Sequence, residues 1–293
     1  MISLIVATVN RVTELDRLLR SLDEQSYRDF EVIVVDQNRD QRLAPLLSGH
    51  QRLTIQHLQS ERGLSRARNA GLRVARGDLM ALPDDDCWYP RHLLASVAGW
   101  FESHSGFGLL GTAVRTAENR PSGPNSPRTS RSCTKNNVWR CAVSTALFMR
   151  RPVSTVVGNF NEDMGIGAGS KYQSGEETDY VLRALEHGFP MWYESSLTVH
   201  HPPLNAIERL RKNTYPFALG MGRVLRLHDY ALHEVSGHLL RSLGGVAVSL
   251  CRGDLGRAHV YALRGAGQLV GYVSSASDRK QSDVNCASPR VGK

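Results

Sequence analysis

Residues 1–36, MISLIVATVNRVTELDRLLRSLDEQSYRDFEVIVVD, hold two apolar runs with a helical stretch between them. Leu4 to Thr8 is a continuous apolar run that Asn10 and Arg11 end, and Thr13 to Gln25 places Leu15, Leu18, Leu19 and Leu22 at helical spacing. Phe30 to Asp36 is a second strand sequence, closing on an acid and polar residues rather than on a hairpin turn. Leu53 to Leu58 reads as a short third strand. Ser65 to Ala75 reads as a helix, with Ala67, Ala70, Leu72 and Val74 among arginines and Gly77 as its stop. Leu79 to Leu82 is then a fourth strand that runs into Pro83. Strands alternating with helices in this rhythm form βαβ units. The expected fold is therefore α/β, a Rossmann-like, mostly parallel central sheet with helices on both faces. Ligands of such sheets collect at the carboxyl ends of the strands, so Asp36 and Asp84 to Asp86, which directly follow strands, should converge on one crevice.

Downstream, residues 117–137 (AENRPSGPNSPRTSRSCTKNN) are poor in apolar residues and rich in Pro, Ser and Asn, which predicts a long loop. Val143 to Met149 resumes as a strand, Glu176 to His187 is a helix stopped by Gly188 and Pro190, and Met191 to Val199 is a late strand leading to His200 and His201. Ala206 to Val273 reads as two or three amphipathic helices without an apolar run of ~18 residues, so no membrane span is expected. These boundaries divide the chain into a domain over 1–204, a helical region over 205–274 and a disordered tail over 275–293.

The 293 residues are 41% hydrophobic, enough for a full core, and carry a net charge of +8. That charge is unevenly placed: residues 1–204 hold 23 Lys and Arg against 22 Asp and Glu, whereas residues 205–293 hold 13 against 6. A basic C-terminal region suits a phosphate-rich partner such as anionic lipid or a lipid diphosphate, or else is a solvated helical face. Cys87, Cys133, Cys141, Cys251 and Cys286 show no CxxC spacing and read as reduced thiols. No basic and apolar leader precedes the first strand, so a secretory signal is not expected and the predicted location is cytoplasmic, with peripheral attachment to the inner face of a membrane as an option.

The chemistry concentrates in Leu82-Pro83-Asp84-Asp85-Asp86-Cys87-Trp88-Tyr89-Pro90. Three adjacent carboxylates at a strand end repel one another unless a cation or a set of donors neutralises them. Mg²⁺ or Mn²⁺ meets that need, taking one or two carboxylates and filling its other positions with diphosphate oxygens and water.

This arrangement resembles the family 2 glycosyltransferases of GT-A fold, whose DxD motif holds a metal against the donor diphosphate. The likeness runs in order through Ala7 to Arg11, Gln25, Glu31 to Asp36, Gly63 to Leu72, Arg76 to Asp78, the DDD stretch, and Gly175 to Gly188 (GEETDYVLRALEHG), and covers about the first 200 residues. It implies an inverting glycosyltransferase that moves a sugar from a nucleotide-diphosphate donor to a glycan or polyprenyl-linked acceptor, as in polysaccharide synthesis. By the same resemblance Asp84 and Asp86 bind the metal, and Asp85 lies near the sugar or ribose. Thr8, Asn10 and Arg11 contact the nucleotide, while Arg68 and Asn69 lie beside the base and ribose. Asp36 accepts a hydrogen bond from the base, which favours a UDP- or dTDP-type donor, since N3–H of uracil or thymine is a donor.

Sugar transfer also needs a base for the acceptor hydroxyl. The resemblance assigns it to Glu177, with Glu176 or Asp179 shaping the acceptor pocket, though EE in place of the family's ED leaves Glu176 as the alternative base. His201 is the counterpart of a histidine that some members use as a further metal ligand. Gly165 to Gly169 (GIGAG) reads as a flexible acceptor-side loop, and Trp139 as a platform for a sugar. The helices after residue 205 either bring Arg209, Arg211, Lys212, Arg223 and Arg226 to anionic headgroups, or pack on the first domain or in a homo-oligomer. Two other classes are weighed. A nucleic-acid-binding protein is disfavoured, because no zinc finger, RNP-like motif or basic recognition helix is present. A noncatalytic sugar-binding module is disfavoured by the intact DDD and GEETD.

Overall fold

The computed structural model describes residues 1–122, 127–203 and 207–274, the last without the side chains of 207–212. The expected tail, part of the expected loop at 117–137, and the side chains of Arg209, Arg211 and Lys212 lie outside the described residues. Two compact units are formed, one by Met1–Gly169 with Glu176–Arg209 and the other by Ser170–Gly175 with the chain from Leu210 onward.

The first unit begins with β1 (Ile2–Thr8), α1 (Thr13–Asp23), β2 (Phe30–Asp36), α2 (Ala44–Gly49), β3 (Ile55–Gln59), α3 (Leu64–Val74) and β4 (Leu79–Ala81). It continues through α4 (Leu93–Ser103), β5 (Leu109–Arg115), β6 (Arg131–Cys133), α5 (Val138–Cys141), β7 (Leu147–Arg150), α6 (Arg151–Val157), α7 (Glu176–Glu186) and β8 (Met191–His200). Among the described residues these strands form one sheet of eight in the order β3-β2-β1-β4-β7-β5-β8-β6. β1 pairs in parallel with β2 and β4, β2 with β3, and β5 with β8, whereas β7 and β6 join antiparallel. The sheet is thus mostly parallel, as expected.

Both faces of the central strands are buried, which is why these strands are apolar throughout rather than alternating. Leu4 and Val6 of β1 join Val32 and Val34 of β2 in the core built with Leu15, Leu18, Leu19 and Leu22 of α1 and with Leu94, Val97 and Phe101 of α4. Each of those leucines contributes roughly 2 kcal/mol by its burial. Ile5 points to the other face, where Gly71 of α3 rests on it so closely that a Cβ would lie 2.3 Å from Ile5 Cγ2. The chain after β3 crosses to β4 on the far side of β1. The strand order therefore reverses at β1, and the crevice lies outside the carboxyl ends of β1, β2 and β4.

Two expectations are revised. Gly77 does not stop α3, which ends at Val74; it lets the turn press against β1, where a Cβ would lie 2.6 Å from Ser3 N. Arg76 beside it donates to the buried Glu31 carboxylate through Nε at 3.0 Å and Nη2 at 2.7 Å, so the RGD stretch fastens α3 to the sheet. The loop predicted over 117–137 contains β6, whose Arg131–Cys133 pairs with Tyr193–Met191 of β8; three paired residues are too few to leave an apolar period in the sequence.

The second unit holds α8 (Ile207–Leu227), α9 (Leu232–Cys251) and α10 (Leu255–Val273). Gly222 and Gly271 let α8 and α10 approach closely, since a Cβ on either would strike a backbone carbonyl of the other helix, Gln268 O or Leu219 O, at 2.2 Å. Among the described residues no helix is long and apolar enough to cross a membrane. Arg223, expected at a headgroup surface, is instead buried, its guanidinium 5.6 Å from the centre of the Tyr172 ring. Arg226 is exposed.

Candidate active site

The crevice is built from strand ends. Thr8 and Asp36 end β1 and β2 as register partners, and Asp84 to Asp86 follow β4. The acid turn is held from three sides. Gln25, buried at the end of α1, donates to Pro90 O at 2.9 Å and Tyr89 O at 3.3 Å and accepts from Leu94 N at 3.2 Å. Arg17 donates to Asp86 O and lies 4.4 Å from the centre of the Trp88 ring. Trp88 pairs with His200 through two backbone bonds of 2.9 and 3.0 Å, which bring the end of β8 to the acids.

That pairing sets His201 against Asp86, with Nε2 3.0 Å from Oδ1. Its Nδ1 lies 2.7 Å from Pro202 O and can only donate there, which leaves Nε2 to face the acids. Asp84, Asp86 and His201 each offer one ligand atom, and these atoms all lie within 4.8 Å of one another. Two carboxylates and an imidazole at this separation suit Mn²⁺ or Mg²⁺ with open positions for water or phosphate oxygens. Arg11 balances the charge, reaching Asp85 Oδ1 at 2.8 Å and also contacting Asp86 Oδ2.

The acids differ electrostatically. Burial pushes the Asp85 carboxyl up to about 6 against the pull of Arg11, and burial also raises Asp84. Burial acts on Asp86 too, but the His201 hydrogen bond and charge, with Arg11, overcome it and hold Asp86 at about 2. Burial disfavours the His201 imidazolium, yet Asp86 outweighs it and raises the His201 pKa.

Arg68 was expected beside the base and ribose. It is instead buried at the centre of the site, with Nη1 2.9 Å from Glu176 Oε1 and Nη2 3.5 Å from Asp84 Oδ1. It thereby joins the start of α7 to the acid turn. Glu177, next to Glu176, is partly buried; that burial, then the neighbouring charge of Glu176, pushes its carboxyl up to about 8. Gly165 (φ +101°) closes behind Glu176, where a Cβ would lie 3.1 Å from Glu176 Cδ. The loop that carries it is tied to α3 by Leu64 N to Ile166 O at 2.9 Å and Ser65 Oγ to Met164 O at 2.6 Å, so this part of GIGAG is anchored rather than free.

Two expected site residues are committed elsewhere. Asn69 is fully buried and clamps the loop after α6, donating to Phe160 O and Glu162 Oε1, each at 3.0 Å, and accepting from Phe160 N at 2.7 Å. Asp179 receives Arg183 Nε at 3.0 Å, and Arg183 also holds Val157 O and Asn159 O. Asp36 accepts from Asn38 N and Nδ2 on one oxygen, while Gln59 Nε2 and His57 Nε2 lie 3.1 Å from the other. Asn10, with φ 59°, donates its N–H to Asn38 Oδ1 at 2.8 Å beside a cavity of about 440 Å³ whose wall includes Arg39, Arg42 and Arg62. Arg17 had no signal in the sequence, and although Gln25 and Gly165 fall in stretches the sequence singles out, their structural roles depend on partners brought near only by folding.

A sheet reversing at β1, with acids at its strand ends and a histidine returned from β8, defines the GT-A class of fold, and solved structures agree. Mannosyltransferase PcManGT from Pyrobaculum calidifontis, in complex with GDP-Man and Mn²⁺, superposes with a TM-score of 0.63 at 17% identity over 94% of this chain and 87% of that one. S. aureus TarS 1–349 in complex with UDP-GlcNAc gives 0.59 at 16% identity over 94% and 92%. Residues 3–156 match the family model of Glycosyl transferase family 2, and the chain belongs to that family of glycosyltransferases. An uncharacterized glycosyltransferase of Haemophilus influenzae is 38% identical over 91 residues, 31% of each chain. The uncharacterized glycosyltransferase YwdF of Bacillus subtilis is 34% identical over 95 residues, 31% of this chain and 35% of its own. The chain thus matches about a third of the length of these relatives.

Proposed function

We propose that the protein transfers a sugar, with inversion, from a nucleotide-diphosphate sugar to a hydroxyl of a glycan or polyprenyl-linked acceptor. The observation that carries this reading is the convergence of Asp84, Asp86 and His201 within 4.8 Å of one another, with Arg68 joining Asp84 to the start of α7. Asp84, Asp86 and His201 would hold a divalent ion, Mn²⁺ or Mg²⁺, which would supply charge to offset that building on the departing diphosphate.

The residues of the chain do the rest. Glu177 accepts the proton of the acceptor hydroxyl as its oxygen bonds to the anomeric carbon; the bond from that carbon to the diphosphate breaks, and the electron pair leaves with the diphosphate. Glu177 is preferred over Glu176 because Glu176 is fixed in a buried ion pair with Arg68, while the raised pKa of Glu177 makes it the stronger base. Asp85 faces the sugar or ribose, and Arg11 exchanges its carboxylate partners for phosphate as the donor enters. A uracil or thymine N3–H reaches Asp36 by displacing His57 or Gln59, since all four acceptor positions of that carboxylate are engaged. The neighbours' UDP, UDP-GlcNAc and GDP-Man support a nucleotide-sugar donor and leave its base to experiment.

Calorimetric titration with UDP, dTDP and GDP sugars, with Mn²⁺ or with EDTA, tests the reading. Metal-dependent binding of one donor, followed by transfer that gives the opposite anomer by NMR, is the expected result. Undiminished transfer in EDTA would remove the metal from it, and absence of any nucleotide binding would leave a noncatalytic module.

A further inference from the structure

Helices α9 and α10 pack on each other through small and polar residues and turn large apolar residues outward. Gly245 sits so close to Tyr261 that a Cβ would lie 2.5 Å from the ring, and the buried Ser242 hydroxyl is 3.3 Å from Gln268 Oε1. On the outer side of α9, Leu240, Leu243, Val248 and Leu250 are 65%, 63%, 51% and 52% exposed. Water favours the reverse arrangement. Small residues inside and leucines outside are how helices pair when their surroundings are apolar.

Apart from Glu234 in the first turn of α9 and Asp254 in the turn before α10, the charge on this hairpin is positive. No Asp or Glu occurs between Val235 and Gly253 or between Leu255 and Ser274, while Arg241 and Arg252 are exposed beside the leucines. Arg264 of α10 is depressed by burial and again by Arg241, so like charges are crowded on the hairpin. A second copy seated face to face would bring these arginines against their own kind. An anionic bilayer surface satisfies both features, taking leucines at its acyl boundary and arginines at its phosphates.

We propose that the α9–α10 hairpin is a docking surface for an anionic membrane, lying in its interface without crossing it. The surface is distinct from the α8 arginines singled out in the sequence, and it stands independently of the transferase reading.

Flotation of the full chain with vesicles of phosphatidylglycerol and phosphatidylcholine, against phosphatidylcholine alone, is the test. Binding to the anionic vesicles only is expected. Joint Leu240→Ser and Leu243→Ser, and separately Arg241→Gln with Arg252→Gln, should each weaken it by about tenfold or more, with helicity by circular dichroism unchanged. No flotation on anionic vesicles, or flotation indifferent to the leucine pair, overturns the proposal. So does a dimer in sedimentation that the leucine pair converts to monomer, because a second copy would then cover the face.

Discussion

Trp88 and His200 are joined by two backbone hydrogen bonds and stack their rings with centroids 5.5 Å apart. Asp86 and His201 lie just beyond this clasp, so the separation of carboxylate and imidazole is set by backbone rather than by flexible side chains. Arg17 also lies over the Trp88 ring, 4.4 Å from its centre.

If Asp84, Asp86 and His201 hold the ion, Asp86→Ala should abolish transfer. His201→Ala should raise the Mn²⁺ concentration for half-maximal activity by about 10–100-fold. Mn²⁺ titration by electron paramagnetic resonance reads both effects directly. Unchanged affinity in His201→Ala would exclude it as a ligand.

Arg68→Met strands Glu176 without its partner in a buried setting. A loss of about 3–5 kcal/mol is expected by urea denaturation. Adding Glu176→Gln should recover part of it, because the second change removes the uncompensated charge. An additive double mutant would show that the two side chains are not coupled.

The Glu177 carboxyl, raised to about 8, ties rate and stability to pH in opposite directions. As the base it must be ionised, so turnover should climb as pH rises through about 8. Between its unfolded value near 4.5 and about 8 the folded protein holds a proton that the unfolded chain has released. Stability from this group is therefore full below that window and is lost as pH rises through it. Glu177→Gln should eliminate transfer and flatten the decline of melting temperature across pH 5–9; an equally steep decline in that variant would place the titration elsewhere.

Gln25→Ala should cost about 1–3 kcal/mol, since Leu94 N loses its acceptor in a buried position. Because the same amide holds the carbonyls after the acid turn, metal affinity should fall together with stability. A melt and an Mn²⁺ titration on one preparation would check this, and a loss of stability with intact affinity would limit Gln25 to packing.

Much of the first unit was legible. Leucines of α1 and the apolar runs of β1 and β2 mark their elements through period and length, and the acids after β2 and β4 stand out as costly unless gathered. What escaped were features that exist only between distant segments. Asn69 and Arg68 lie one residue apart on α3, yet one clamps Phe160 and the other bridges Asp84 and Glu176; local spacing carries no trace of that division. β6 is too short to show a period, the strand read over Val143 to Met149 is a helical turn at Ser144–Ala146 followed by β7, and the small-inside packing of α9 and α10 looks in sequence like ordinary amphipathic helix.

β8 delivers His201, and it does so from between β5 and β6, at the end of a long excursion from the acid turn. Any ion bridging Asp86 and His201 would then be linked by mass action to whether this last strand has slotted into place. Chelation should loosen the far edge of the sheet before its β1–β2 half, a gradient that amide exchange along the chain can trace.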